Sequence, residues 1–215
     1  MSISVIDILW YLLAAARWTL LLSIIAFIGG ATGALLLLLL RYARPNVGAR
    51  FMNLYVEVLQ GTPLLLLLFL VFFGLPLLGI DVSPMLAAGV GLTLYASAFL
   101  GEIWRGCVDA IGRGQWEASA SLGMKFVPQM QYVILPQALK IAVPPTVGFL
   151  VQLVKSTALT SIVGFNELIQ AGKIVSNATF QPAVVYGLVA LIYFCMCFPL
   201  TYCARLLERK LSRSR

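Results

Sequence analysis

An all-α integral membrane bundle is the fold class this sequence predicts. It has five transmembrane helices, an interfacial helix at the N-terminus, and one short polar helix in a loop between spans. Three observations predict it. Of 215 residues, 61% are hydrophobic and 11% charged, and the mean hydropathy is +0.97; a soluble domain of this size cannot hide so much apolar surface. Charge-free runs long enough to cross a bilayer recur along the chain. The cations also fall unevenly on the two sides that five spans define.

Residues 8–16 are an apolar stretch of nine, bracketed by Asp7 and Arg17. That is too short to span, so 1–17 is expected to form an interfacial segment leading into the first span. The opening ten residues carry Asp7 and no Lys or Arg, so the positive region of a cleavable signal is missing. Residues 18–40 are charge-free for 23 residues, about 34 Å of helix, enough to cross a ~30 Å hydrocarbon core. Gly29 and Gly33 form a small-residue step that either seats another helix or reflects the ordinary frequency of Gly in spans.

Arg41, Arg44, Pro45 and Arg50 make a short basic loop. The second span is expected over 58–80, with Gly61 and Pro63 in its opening turns, where lost backbone hydrogen bonds are cheapest. Glu57 then precedes a helix start and complements its dipole. Asp81 and Pro84 turn the chain into a third span, 82–104. There Glu102 and Arg105 stand three apart and can pair.

The fourth span is awkward, because only 14 residues separate Lys140 from Lys155. It is placed at 133–155, with Lys140 reaching toward the interface and a kink at Pro144-Pro145. Residues 156–177 are mixed and read as helical pieces that lie at the outer surface or dip partly into the membrane. The fifth span is 182–204, followed by a basic tail, 208–215.

Five spans put Arg41, Arg44, Arg50, Arg105, Arg113, Lys125, Lys140, Arg205, Arg209, Lys210, Arg213 and Arg215 on one side. Arg17, Lys155 and Lys173 fall on the other. Twelve cations against three make the first side cytoplasmic, with the N-terminus outside and the C-terminus inside. The net charge of +7 therefore follows membrane topology and does not point to nucleic acid. There is no His, and Cys107, Cys195, Cys197 and Cys203 fit no zinc spacing, so they read as small packed hydrophobes. No Walker-type phosphate loop occurs, and any ATP-driven work needs a partner to bind the nucleotide.

The one long polar interval lies on the cytoplasmic side. Within it, Glu117-Ala118-Ser119 is followed by Gly123 and then by Val133, Leu135 and Pro136. Glu117 is expected in the first turn of a short helix, Gly123 at a sharp turn after it, and Pro136 at the start of the next helix. This pattern resembles the E-A-A, three residues, G, nine residues, I-x-L-P loop of type I ABC-importer permeases. Ser119 stands at the second Ala and Val133 at the Ile.

The resemblance extends over nearly the whole chain, to about residue 207, and to the polar amino-acid uptake branch of the family. Glu57 to Pro63 resembles E-x-x-R-G-T-P, Glu102 to Gly106 resembles A-E-I-x-R-G-G, and Lys155 to Leu159 resembles K-D-T-S-L. Gln60 replaces the usual Arg, Cys107 the second Gly, and Ser156 the usual Asp.

The resemblance implies a dimeric type I importer fold whose transmembrane domain covers 18–207. It implies a second permease chain, identical or paralogous, two cytoplasmic ABC ATPase subunits and an extracytoplasmic substrate-binding protein in a bacterial inner membrane. The cargo would be a polar or charged amino acid. This chain would bind no cofactor, ATP and Mg being held by the partner ATPase. Glu117, Ala118, Ser119, Gly123, Leu135 and Pro136 would carry ATPase coupling through a coupling helix.

Candidates for the substrate path are Lys155, Ser156, Thr157, Gln152, Gln60, Thr62, Glu102 and Glu167. A Lys inside a membrane faces a hydrated cavity or a partner, so Lys155 either lines a path or pairs with Glu167 or a backbone carbonyl. Gln60, Thr62 and Gln152 serve either interhelical hydrogen bonds or substrate contact. The competing readings are an ATP-independent carrier or channel, an intramembrane enzyme, and a membrane scaffold. The first two lack the His, the mid-span carboxylate or the Ser/Lys geometry they need, and a scaffold has no use for the loop spacing.

Overall fold

The computed structural model describes residues 4–212, with side chains to 210. Residues 1–3 of the N-terminal segment, and Arg213 and Arg215 of the basic tail, lie outside the described residues. The described chain is helical throughout, without strands.

Helix α1, Val5–Ala43, is one unbroken helix of 39 residues. The separate interfacial helix expected over 8–16 is its first third. No Pro or Gly lies between Asp7 and Gly29, so nothing interrupts the hydrogen-bond ladder, and Arg17 is compatible with it. Ser4 and Asp7 form a capping box at its start. At ~1.5 Å per residue α1 is about 58 Å long, more than a bilayer core needs.

Helices α2, Pro45–Gly61, and α3, Leu64–Leu77, replace the expected second span. They meet at 100°. Pro63 lacks an N–H and disfavours helical backbone at the residue before it, and Thr62 is accordingly extended, at φ −96° and ψ 126°. Gly61 and Pro63 thus sit at a break rather than in an opening turn. Glu57 lies in the penultimate turn of α2, so it does not complement a helix start. Helix α3 alone, at about 21 Å, is too short to cross.

Helix α4, Pro84–Asp109, starts with Pro84 in its first turn and Ser83 capping Leu86 N at 3.2 Å. After short helices α5, Arg113–Ser121, and α6, Phe126–Gln129, a π-helical turn at Met130–Ile134 leads into α7, Leu135–Ser156. Pro144 and Pro145 do not end α7, which continues through them as helix. They line a cavity wall. A 3₁₀ segment, Thr157–Val163, follows, then α8, Leu168–Thr179, and α9, Pro182–Ser212, which carries part of the basic tail as helix.

Four helical stretches are long and apolar enough to cross a membrane, and the bent α2–α3 pair would make a fifth. Helix α1 packs most extensively on α4, and α7 packs on both α4 and α9. The small-residue step is used for packing. A Cβ on Gly30 would sit 2.4 Å from Ala96 Cβ, and one on Gly29 or Gly33 would be 2.9 or 2.8 Å from Thr93 or Ser97. Small residues bring backbones together and gain dispersion contacts where lipid supplies no hydrophobic drive.

The main core joins Leu22, Ala26, Met52, Leu92, Leu100 and Leu153 from α1, α2, α4 and α7. A second core joins Ile8 and Leu12 of α1 to Leu168 of α8 and Val185 and Val189 of α9. Exposed Ile24, Ile28, Leu35 and Leu39 on α1 give the outer surface an apolar character that suits lipid.

Candidate functional site

The polar loop is built as a helix, a turn and a return. Gly112 precedes α5 and supplies no side-chain cap. The helix starts at Arg113, four residues before Glu117, so Glu117 is in its second turn and not in the first as expected; its side chain is exposed. Ala118 is also exposed, and Ser119 is the one buried residue of α5.

Gly123 ends the helix at φ +76°. Its N–H donates to Ala120 O at 2.9 Å, and Met124 N donates to Ser119 O at 3.3 Å. This pair of bonds is the Schellman closure, whose left-handed residue is cheapest as Gly. Leu122, Val127 and Tyr132 are exposed beside it, Leu122 to 81%. Leu122 makes an apolar knob on a polar loop.

The return begins with Lys125 and α6. Leu135 N donates to Met130 O across the π-helical turn. Pro136 lies in the first turn of α7, where its absent N–H is not missed, and the wider preceding turn gives its ring room. Leu135 is 39% exposed and Pro136 is exposed. Beneath the loop, Val108, Ile111, Met130, Ile134 and Ala138 form a small core with half-buried Trp116.

The substrate-path candidates divide into five places. Gln152 and Lys155 line a cavity of about 550 Å³ between α7 and α9, with Pro144, Pro145, Gly148, Thr201, Arg205 and Glu208. The Gln152 amide also donates to Tyr95 O–H at 3.0 Å, and Tyr95 packs with Phe99 and Phe149 at centroid distances of 4.4 and 6.1 Å. Ser156 is half-buried, and Thr157 is fully buried with its hydroxyl on Val154 O at 2.7 Å. Gln60 is exposed and Thr62 donates to Val58 O at 2.7 Å, both at the α2–α3 break and away from that cavity.

Glu102 stands at the other end of α4, where Arg105 holds it bidentately and also binds Asp109 Oδ2 at 2.6 Å. The expected Glu102–Arg105 pair is therefore formed, as part of a three-member ladder.

Glu167 is fully buried and is not paired with Lys155. One oxygen caps α8, accepting from Ile169 N at 2.8 Å and Gln170 N at 3.0 Å. The other accepts from Tyr193 O–H at 3.1 Å and Thr19 Oγ1 at 3.3 Å. Thr19 in turn accepts from Leu168 N at 3.2 Å. Burial pushes the Glu167 carboxyl above the usual carboxylate range, against the pull of these four donors. One side chain thus ties α1, α8 and α9 together.

Sequence reasoning missed Thr19, Tyr193, Tyr95, Gln129, Arg205 and Glu208. The signal for the first three was a hydroxyl inside an apolar run, which needs a partner; for Gln129 there was none beyond its place in the loop. Among the described residues no cluster of three His, Cys, Asp or Glu could hold a metal.

Comparison with known proteins agrees with this architecture. Residues 30–213 match the family model for the binding-protein-dependent transport system inner membrane component. A probable amino-acid ABC transporter permease protein, YckA of Bacillus subtilis (strain 168), is 34% identical, covering 93% of this chain and 88% of its own. The L-cystine transport system permease protein TcyB of the same organism is 33% identical over 91% of this chain and 84% of its own. A crystal structure of an amino acid ABC transporter with histidines superposes with a TM-score of 0.90 at 30% identity, covering 98% of this chain and all of that one. The methionine ABC transporter MetNI, inward facing, shares the fold at TM-score 0.78 and 22% identity, over 94% of this chain and 96% of its own. With an all-helical bundle, four or five apolar spans and this loop in hand, the chain belongs to the family of binding-protein-dependent transport system inner membrane components.

Proposed function

We propose that this chain is the permease subunit of an ATP-driven importer for polar or charged amino acids. It crosses the inner membrane five times, the α2–α3 pair counting as one broken span, with the N-terminus outside and the C-terminus in the cytoplasm. The observation that carries the reading is the exposed α5 loop, with Glu117 on its surface and a Gly123 turn, in a chain whose relatives are amino-acid ABC permeases. A partner ATPase holding ATP and Mg docks on this loop. A second permease chain completes the pathway, and a substrate-binding protein delivers the cargo from outside.

The mechanism needs a bundle with two states whose balance the ATPase biases. Closure of the ATPase pair moves α5 through contacts at Glu117 and the Leu122 knob. Helix α7 carries Gln152 and Lys155 on the wall of the α7–α9 cavity. Lys155 supplies a cation for the carboxylate common to all amino acids, and Gln152, held by Tyr95, supplies amide contacts. Glu167 supports this wall from behind and does not line it. Ser156 in place of the branch's usual Asp removes a carboxylate next to Lys155 in the chain, and Arg205 and Glu208 are the other charged groups on that cavity's lining.

The test is affinity capture of the tagged chain from its native membrane in mild detergent. A co-purifying ATPase, lost when Glu117 and Gly123 are both replaced, is the expected result. A complex that keeps its ATPase after that double replacement overturns the loop assignment.

A further inference from the structure

We infer that Gln129, acting with Ser119, is a positioning residue that locks α5 to α7 so that the two move as one lever. The inference rests on the coupling role proposed for α5.

Helix α5 is nine residues long and is joined to the rest of the chain through a glycine on each side, Gly112 and Gly123. Neither connection resists bending strongly. Most of its surface is exposed. What seats it is Trp116, half-buried in the small core below, and the side chain of Gln129, which is 8% exposed.

Gln129 Nε2 has two hydrogens, and both are used. One goes to Trp116 O at 2.6 Å and the other to Ser119 Oγ at 2.6 Å. The Ser119 hydroxyl turns its own proton back onto Gln115 O at 2.7 Å, which leaves its lone pair free to accept from Gln129. Donors and acceptors are therefore matched in a buried spot, where an unmet group is costly. An alanine at position 119 offers no such acceptor.

Position determines what the lock transmits. Gln129 is the last residue of α6, and the helical path continues without a break through the π-helical turn into α7. That path reaches Lys155 roughly 39 Å further on. By contrast, α5 meets the end of α4 through a non-helical connection. A second, exposed tie, Gln137 Nε2 to Gln115 Oε1 at 3.3 Å, also runs from α7 to α5. Motion imposed on α5 is thus delivered to the helix that forms the cavity wall. Without the lock, α5 swings about its glycines and the motion is lost.

The experiment uses the assembled transporter in liposomes, with Gln129→Leu, which keeps bulk and removes both donors, and Ser119→Thr, which keeps the hydroxyl. Two readouts are taken. One is substrate transported per ATP hydrolysed. The other is the distance distribution between spin labels placed at exposed Ala120 and Leu139, in a background with the four native cysteines replaced.

Losing two buried hydrogen bonds shifts the docked-to-undocked ratio of α5 by ~30-fold. Gln129→Leu therefore broadens the distribution and lowers transport per ATP by roughly 3- to 30-fold, while Ser119→Thr keeps both near wild type. A narrow distribution in Gln129→Leu overturns the lock, and so does a broad one with unchanged transport per ATP. If even the wild-type chain captures no ATPase, the coupling role of the loop has failed. The label distances then still decide whether Gln129 holds α5.

Discussion

Replacing Glu167 separates a structural joint from a substrate contact. In Glu167→Ala the two α8 N–H groups lose their cap, which costs about 1 kcal/mol. The Tyr193 and Thr19 hydroxyls lose their acceptor in a dry interior, at about 1–3 kcal/mol each when unmet. Even before the vacated space is counted this comes to ~3–7 kcal/mol. For a chain of this size each kcal/mol is worth ~2–4 °C, so the thermal midpoint of the purified protein falls by roughly 6–28 °C.

Glu167→Gln behaves differently. Its carbonyl oxygen still caps α8, and its amide meets two hydroxyl oxygens that can accept, so the loss stays within about 1 kcal/mol. The assay is a thermal midpoint in detergent, read by size-exclusion chromatography after heating. A Glu167→Ala midpoint within about 2 °C of wild type, or a Glu167→Gln midpoint as low as that of Glu167→Ala, refutes the reasoning.

The same pair gives a pH signature. The folded-state carboxyl titrates above its unfolded value of about 4.3, so the fold binds the protonated form more tightly. Its stabilising contribution is full below the unfolded value and is lost as pH rises through the window up to the folded one. The wild-type midpoint minus that of Glu167→Gln therefore falls across that window; a flat or rising difference contradicts the assignment.

Three further outcomes are expected. Gly123→Ala meets no atom within 4 Å, so its cost is the left-handed backbone alone, about 1–2 kcal/mol; ATPase capture weakens while the thermal midpoint falls by no more than ~2–8 °C. Gly30→Val drives side-chain atoms into Ala96 and the α4 backbone and lowers the midpoint by an overpacking cost of ~1–3 kcal/mol. Gly89→Ala, which meets nothing within 4 Å, serves as its control and leaves the midpoint unchanged. Lys155→Met removes the cation of the cavity wall, and uptake into liposomes falls while the complex still assembles; undiminished uptake would remove Lys155 from the path.

Much of this protein was legible from local rules. Apolar run length located the helices that became α1, α4 and α9, because a charge-free stretch of that length has few alternatives to crossing a bilayer. The Gly123 turn and the Pro136 start were legible as well, since left-handed backbone and a missing N–H are properties of single residues. The errors came where two local signals competed. Pro63 stands at a break between two helices, where Thr62 is extended, whereas Pro144 and Pro145 lie inside a continuous α7. Glu117 was misplaced by one helical turn because α5 begins without a side-chain cap, which leaves no mark in the sequence.

The sequence by itself determined a membrane bundle, an uneven distribution of its cations along the chain, and a loop with the spacing of a coupling helix. All three depend on composition and on residues close in the chain. Only the tertiary structure decided the partners of the polar side chains. Lys155 and Glu167 are twelve residues apart yet serve different places, one on a cavity wall and one in a buried joint with Thr19 and Tyr193. Ser119 is exchangeable with Ala by spacing alone, yet it receives Gln129. The physical reason is that a buried polar group is satisfied by whatever the packing brings within 3 Å, and helix packing sets that through contacts between residues far apart in sequence.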